Sequence, residues 1–306
     1  MMDYSYHRPV MLDECMEGLA LKPGGIYIDL TFGGGGHTKE ILRQLHGKGK
    51  GSVFGFDQDD DARSNAELIE DSSFTFVQAN FRYFAKYLKL YKVSKVDGIL
   101  ADLGVSSHQI DEPERGFSTR FEGPLDMRMD RSKGHTAAEI LNASSAEELQ
   151  RIFGMYGEVR NAKTLAGAIV SARVNKPFED TGAFVAFLKS FAPRGKDFKY
   201  YAQVFQALRI AVNDEMAALE EMLLQCGDVL NEGGRLVVMS YHSLEDRLVK
   251  NYINYGNVEG NPKKDFYGNL LRPIKPINKK PIEASEEETK LNNRARSAKL
   301  RIGEKL

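Results

Sequence analysis

Ile26-Tyr-Ile-Asp-Leu-Thr-Phe-Gly-Gly-Gly-Gly-His37 is the stretch that decides the fold. After the Pro23-Gly-Gly25 turn, Ile26–Leu30 reads as a buried strand, four glycines bend the chain, and the pattern from Thr38 to Leu45 reads as a helix. A strand that passes through glycine into a helix opens a βαβ unit. The same alternation continues downstream. Ser52–Phe56 is a second strand ending in Asp57, 61–69 is helical, Phe74–Val77 is a third strand, 82–91 a third helix and Val96–Ala101 a fourth strand. Continuous apolar strands separated by amphipathic helices predict a parallel sheet covered on both faces.

The alternation then stops. From 106 to 209 no strong strand appears; 106–133 is polar and turn-rich, Ser145-x-x-Glu148 is a capping box, and further helices fit 159–174 and 182–191. The reading is therefore a sheet domain in two parts, 1–109 and 211–306, interrupted by a helical insertion at 110–210. After the insertion, Val212, Met216, Leu219, Leu223, Cys226 and Leu230 recur at helical spacing. Gly233-Gly234 then turns the chain into the strand Arg235–Met239, followed by a helix over 244–253 and a last strand at 299–302. The Pro/Lys-rich segment 260–281 reads as irregular, and 255–281 receives no role.

Composition narrows the function. The chain has 306 residues, a net charge of −1 and 42% hydrophobic residues, which suits a globular protein with a real core. Cys15 and Cys226 are the only cysteines, too few for a disulfide scaffold and suited to a reducing cytosol. No apolar run is long enough to span a bilayer, and Met1–Met11 lacks the apolar core of a secretion signal, so a cytoplasmic location is expected. The six histidines do not pair with cysteines at ligand spacing, so no metal is expected. Charge is uneven: Gly260–Leu306 carries twelve Lys/Arg against six Asp/Glu, which points to a polyanionic partner.

The glycine bend is the cofactor signal. Glycine lets a ligand approach the backbone, and the helix that follows offers free N–H groups. Asp57, at the tip of the second strand, can accept hydrogen bonds from both ribose hydroxyls of an adenosine. A dinucleotide fold wants G-x-G-x-x-G, and Thr38 or Lys39 stands where the third glycine belongs. S-Adenosylmethionine has no pyrophosphate, and its cationic groups suit carboxylates such as Asp29. The motif therefore favours S-adenosylmethionine over NAD, with an NAD-dependent oxidoreductase as the alternative. Phe81 follows the third strand and can pack on an adenine, and Asp102 ends the fourth strand at the ligand-binding edge of such sheets.

Further strings carry a resemblance. These are His7-Arg-Pro-Val-Met-Leu-Asp-Glu14, Tyr27-Ile-Asp-Leu-Thr-Phe-Gly33, Gly35-Gly-His37, Asp102-Leu-Gly-Val-Ser-Ser107 and Glu114-Arg-Gly-Phe-Ser118. Gly123-Pro-Leu-Asp-Met-Arg-Met-Asp130, Phe205-Gln-Ala-Leu-Arg-Ile210, Ser240-Tyr-His-Ser-Leu-Glu-Asp-Arg247 and Asn293-Arg-Ala-Arg-Ser297 follow in order. Together they make the chain resemble the bacterial 16S ribosomal RNA cytosine-N4 methyltransferase family over nearly its whole length. The resemblance implies a Rossmann-like class I S-adenosylmethionine-dependent methyltransferase with a mostly parallel, doubly wound sheet and an inserted all-helical domain. It places Gly35, Gly36, His37, Asp57, Phe81, Asp102 and Gln109 on cofactor-binding positions. The implied substrate is the exocyclic amine of a cytidine in the decoding centre, in free 16S rRNA or the assembled small subunit. A homodimer is left open. Gly34 and Tyr241 depart from the residues relatives often carry there.

The residues suggest roles within that chemistry. Methyl transfer is an in-line displacement in which the protein chiefly positions and desolvates. Hydrogen-bond acceptors aimed at the N4 hydrogens raise the electron density of the amine. Asp102 can supply one, although Asp102-Leu-Gly-Val lacks the diproline motif many amino-methyltransferases carry at this place. His242 can accept the released proton or contact the base, and Tyr241 can stack on an extruded cytosine. For RNA, Pro193-Arg-Gly-Lys-Asp-Phe-Lys-Tyr-Tyr201 reads as a basic, aromatic loop containing Arg194, Lys196 and Lys199. Arg128 and Arg131, with Arg294 and Arg296, can meet phosphates. The remaining alternative is a non-catalytic RNA-binding factor on a methyltransferase fold.

Overall fold

The computed structural model describes residues 9–306; His7 and Arg8 of the first family string, and most of the polar N-terminus, lie outside the described residues. The chain divides into two compact units, one formed by residues up to 104 and from 216 onward, the other by 105–215. These borders fall five residues outside 110 and 210, so Gln109 belongs to the second unit.

In chain order the first unit contains α1 (Leu12–Leu19), β1 (Ile26–Asp29), α2 (Gly36–Lys48), β2 (Ser52–Asp57), α3 (Asp60–Ala66), β3 (Phe74–Gln78), α4 (Phe84–Leu90) and β4 (Val96–Asp102). The second unit contains α5 (Ser107–Asp111), α6 (Ala137–Ala143), α7 (Ala146–Gly157), α8 (Ala162–Arg173), α9 (Thr181–Leu188) and α10 (Asp197–Asn213). The chain continues with α11 (Glu215–Val229), β5 (Leu230–Ser240), α12 (Ser243–Tyr255), β6 (Ile274–Pro276), β7 (Ile282–Glu283), α13 (Glu286–Leu291) and β8 (Lys299–Lys305).

The strands form one sheet in the order β3-β2-β1-β4-β5-β8-β6, with β7 paired to β8. The first five are mutually parallel; β8 runs antiparallel to β5. Alternate residues serve opposite faces, as a doubly wound sheet requires. Ile28, Ile99, Ala101, Leu236 and Val238 pack with Phe84 and Leu88 of α4, Leu219 and Leu223 of α11, and Val249 and Ile253 of α12. Tyr27, Leu100, Val237 and Met239 pack with Leu12, Cys15 and Leu19 of α1 and with Ile41 and Leu45 of α2. Strand order reverses between β1 and β4, so the carboxyl ends of those strands flank the crevice where open α/β sheets take ligands. The second unit has its own core, built on Leu141, Leu149, Phe153, Leu165, Phe184 and Leu208.

Several sequence expectations need correction. The helical spacing over 212–230 belongs to two helices, because Asp214 adopts a left-handed conformation (φ 50°) and ends α10. Strand β5 begins at Leu230 rather than Arg235, and the short β6 lies within the segment read as irregular. The third helix opens as a 3-10 turn over Phe81–Tyr83 before α4. The capping box at Ser145 and Glu148 forms as read, with both reciprocal hydrogen bonds. Among the described residues no helix is long and apolar enough to cross a membrane.

Ile99 is fully buried at the centre of the sheet. Ile99→Ala should lower the unfolding free energy by about 2–5 kcal/mol, measured by chemical denaturation.

Candidate active site

The four central parallel strands end in Asp29, Asp57, Asp102 and Ser240, so these residues share one edge of the sheet. Asp29 is buried, and its carboxylate accepts the backbone N–H of Thr31 at 3.1 Å and the hydroxyl of Thr38 at 2.8 Å. The Thr31 hydroxyl also bonds Asp29, and its oxygen accepts the Asp102 N–H at 2.7 Å. One threonine thereby ties the ends of β1 and β4 together. Thr38 stands where a dinucleotide fold packs its third glycine, and its hydroxyl ties the first turn of α2 to the acid at the end of β1.

The glycine run turns around Asp57. Gly33 donates its N–H to Asp57 Oδ2 at 2.8 Å, and Asp59 donates to Oδ1 at 2.9 Å. Each carboxylate oxygen keeps a further lone pair for another donor. Asn65 holds the Gly33 carbonyl at 3.2 Å. The inner side of the run is closed: a Cβ on Gly35 would meet the Phe32 ring at 2.7 Å, and one on Gly36 would collide with the Pro9 ring. The outer side is open, since a Cβ on Gly34 meets nothing within 4 Å. His37, in the first turn of α2, is buried and donates from Nε2 to the Val10 carbonyl at 3.2 Å. Burial lowers its pKa.

Desolvation dominates the electrostatics. Burial pushes the carboxyls of Asp29, Asp57 and Asp102 each up to about 6, against the hydrogen bonds that favour their ionised forms. Tyr241 donates its hydroxyl to Asp102 Oδ1 at 2.7 Å. Burial, then the Asp102 charge, raises the Tyr241 pKa above its ordinary value. A phenol committed in this way is a fixed donor to Asp102, a more specific role than the free stacking platform expected from sequence.

His242 caps α12. Its Nδ1 accepts the Glu245 N–H at 3.4 Å, while Glu245 Oε2 accepts the N–H groups of Tyr241 at 2.8 Å and His242 at 3.3 Å. With Nδ1 accepting, a neutral ring carries its proton on Nε2. That nitrogen lies 3.2 Å from Glu245 Oε1 but is buried without a hydrogen bond among the described residues. The acceptor side of the imidazole is thus already used by its own helix, which argues against the ring as proton acceptor.

Phe81 opens its 3-10 turn half-buried against the core. The turn is anchored to α11 by a two-pronged Arg82–Glu221 pair (2.9 and 2.7 Å) and by Gln225, which donates to the Arg82 carbonyl at 2.8 Å. In the second unit, the buried Gln109 closes the capping box of α5, its side-chain oxygen accepting the Ser106 N–H at 2.9 Å.

The residues expected to meet RNA fare differently. Arg128 is held by Asp126 through two hydrogen bonds of 2.7 and 3.1 Å, so its guanidinium is already paired. The segment 193–201 is not a loop throughout, because α10 begins at Asp197. Tyr200 and Tyr201 are buried, Tyr200 donating its hydroxyl to Asn161 at 3.0 Å. Arg194, Lys196, Lys199 and Phe198 are exposed, as is Arg296, whereas Arg294 is half-buried. Sequence reasoning missed Thr31, Thr38 and Glu245 as site-building residues. The available signals were a threonine two residues after a strand-tip acid, a polar residue in the third-glycine place, and a Glu three residues after His242.

The model of the MraW methylase family matches residues 4–306. The chain belongs to the MraW methylase family. This member is 57% identical over 300 residues to the ribosomal RNA small subunit methyltransferase H of Cytophaga hutchinsonii, covering 98% of this chain and 99% of that one. It is 53% identical over 305 residues to the protein of the same name from Parabacteroides distasonis, covering 99% of each. Among solved structures, an rRNA methylase from Streptococcus thermophilus aligns over 96% of this chain and 93% of its own, at 12% identity and a TM-score of 0.40, too distant to bear on function.

The glycine run offers a paired test. Gly35 has φ +74° and no room for a Cβ, whereas Gly34 has open space. Gly35→Ala should cost about 1–2 kcal/mol or more of stability, and Gly34→Ala should stay within about 0.5 kcal/mol of the parent. Thermal unfolding of the two variants side by side measures the difference.

Proposed function

We propose that this protein is an S-adenosylmethionine-dependent methyltransferase of small-subunit ribosomal RNA, acting in the cytoplasm on the exocyclic N4 of a cytidine in the 16S decoding centre. The observation that carries the reading is the glycine bend held on Asp57 by the Gly33 N–H, with its outer side open, in a chain matched over residues 4–306 by a methylase family. The names of the relatives support the ribosomal substrate; the resemblance in the sequence strings supports the cytidine amine.

The residues present fit the cofactor. Asp57, oriented by two backbone N–H groups, has lone pairs for the ribose hydroxyls. Phe81, pinned to α11, offers a ring for the adenine. Gly35, Gly36, His37 and Gln109 complete the set by resemblance. Asp29 and Asp102, costly to ionise alone, suit a ligand that carries positive charge. When bound, S-adenosylmethionine supplies an activated methyl group.

The remaining work falls to the protein. Asp102 Oδ1 is held by Tyr241, and Oδ2 accepts no hydrogen bond among the described residues, which leaves it for an N4 hydrogen of the target. Accepting that hydrogen raises the electron density of the amine. With its carboxyl near 6, Asp102 is largely ionised at neutral pH and can take the N4 proton as the new bond forms. Tyr241 steadies this carboxylate, and Glu245 fixes the turn that carries Tyr241. Arg194, Lys196, Lys199 and Arg296 offer exposed charge for phosphates.

The decisive experiment is transfer of tritiated methyl groups to small subunits from cells lacking the gene, followed by nucleoside analysis. Label in N4-methylcytidine supports the reading, and its absence refutes it. Asp102→Asn should slow transfer by about 100-fold. Tyr241→Phe should act more mildly and shift the acid limb of the pH–rate profile upward, because the lost hydrogen bond favours the ionised carboxylate.

Proton linkage gives a second test. The three carboxyls rise from an ordinary 3.8 to about 6 on folding. The stability this confers is fully present below 3.8 and lost as pH rises through 6. A cationic ligand favours the ionised forms, so cofactor binding at pH 6 should release protons and tighten by about tenfold between pH 5 and 7.5. Calorimetry in buffers of different ionisation enthalpy measures the proton count; net uptake would contradict the placement.

A further inference from the structure

The segment 255–281 contains a small hydrogen-bonded hairpin. Leu271 donates its N–H to the Lys263 carbonyl at 2.8 Å, Lys264 and Leu270 form a bridge, and Asp265 donates to the Asn269 carbonyl at 2.9 Å. At the tip, the Asp265 carboxylate gathers the N–H groups of Tyr267 (2.8 Å) and Asn269 (2.9 Å) and the Asn269 side-chain amide (3.0 Å). These hydrogen bonds hold its carboxyl below the usual value. Gly268, at φ +88°, makes the reversal. At the root, Arg272 donates to the Asn254 carbonyl in the last turn of α12 at 2.9 Å.

The tip presents what a folded chain ordinarily hides. Phe266 is 98% exposed and Tyr267 is 86% exposed, their rings nearly perpendicular with centroids 5.7 Å apart. Burying such a ring is worth about 1.5–3 kcal/mol, yet the hairpin holds both in solvent. Lys263 and Lys264 are exposed beside them. From Gly260 to Pro281 the sequence has six Lys/Arg and one acid, Asp265, whose carboxylate is turned onto the backbone of the turn. A protein interface wants a broad apolar surface with a polar rim. Two rings on a narrow cationic tip give little apolar area, but they match the stacking platform and phosphate contacts used for unpaired nucleotides.

We propose that the hairpin 263–272 is an RNA-binding finger whose Phe266 and Tyr267 stack on unpaired bases of the substrate RNA while Lys263 and Lys264 meet the adjoining phosphates. The proposal rests on the reading above that the substrate is RNA, and it assigns the protein a contact away from the strand ends that carry the chemistry.

The chain contains no tryptophan, so Phe266→Trp introduces a single indole at the tip. Titration with oligouridine of about 12 nucleotides should quench its fluorescence, and an RNA duplex of the same length should quench it far less. The double variant Phe266→Ala/Tyr267→Ala should bind unmethylated small subunits about tenfold more weakly while keeping the parent affinity for S-adenosylhomocysteine. Lys263→Gln and Lys264→Gln should each reduce the slope of log affinity against log salt by about 0.7. Absence of quenching by the single strand, with unchanged subunit affinity of the double variant, overturns the proposal. Quenching by RNA-free small-subunit proteins but not by oligouridine also overturns it and gives the finger a protein partner. The quenching assay requires no methyl transfer, so its failure is distinguishable from failure of the proposed activity.

Discussion

Burial of carboxylates at the carboxyl edge of a parallel sheet is the constraint around which the site is organised. Asp29, Asp57 and Asp102 end three parallel strands, and each has its carboxyl pushed to about 6 by desolvation. Acids in such surroundings persist only where donors hold them, and the neighbouring sequence supplies those donors. Thr31 and Thr38 serve Asp29, the Gly33 and Asp59 N–H groups serve Asp57, and Tyr241 serves Asp102. The glycine run is therefore more than a flexible turn: its first N–H is one of the bonds that make a buried acid tolerable.

The same network explains how distant sequence segments build one site. The Thr31 oxygen accepts the Asp102 N–H, joining residues 71 apart in sequence. Tyr241 reaches Asp102 across 139 residues because β4 and β5 are neighbours in the sheet. The turn after β5 is stiffened by Glu245, whose carboxylate takes two successive N–H groups and leaves the tyrosine aimed at the acid. Positioning here is done by backbone N–H groups and by the Thr38 and Tyr241 hydroxyls, not by charged partners of opposite sign.

Much of this was legible in the sequence because burial on both faces writes a strand as an unbroken apolar run. Acids closing three such runs stood out for the same reason. The error at 193–201 has an equally physical cause. Lysines and aromatics side by side read as surface, but Tyr201, Phe205 and Leu208 recur at helical spacing and line one buried face of α10. His242 follows the end of β5 at the ligand-binding edge, a place that suggests a reactive group; Glu245 three residues later makes it the cap of α12. Strand β6 has three residues and exists by pairing with β8, so no local signal announces it.

The sheet order also governs how the chain assembles. Strand β4 ends at Asp102, and its neighbour β5 starts at Leu230. Until that second strand leaves the ribosome, β4 pairs only with β1 and its other side is an open edge, a template for wrong pairing. The intervening helices have a core of their own and can fold while the gap is still open, shortening the effective loop that must close. Translation speed across 105–215 thus becomes a variable in the yield of correctly paired protein.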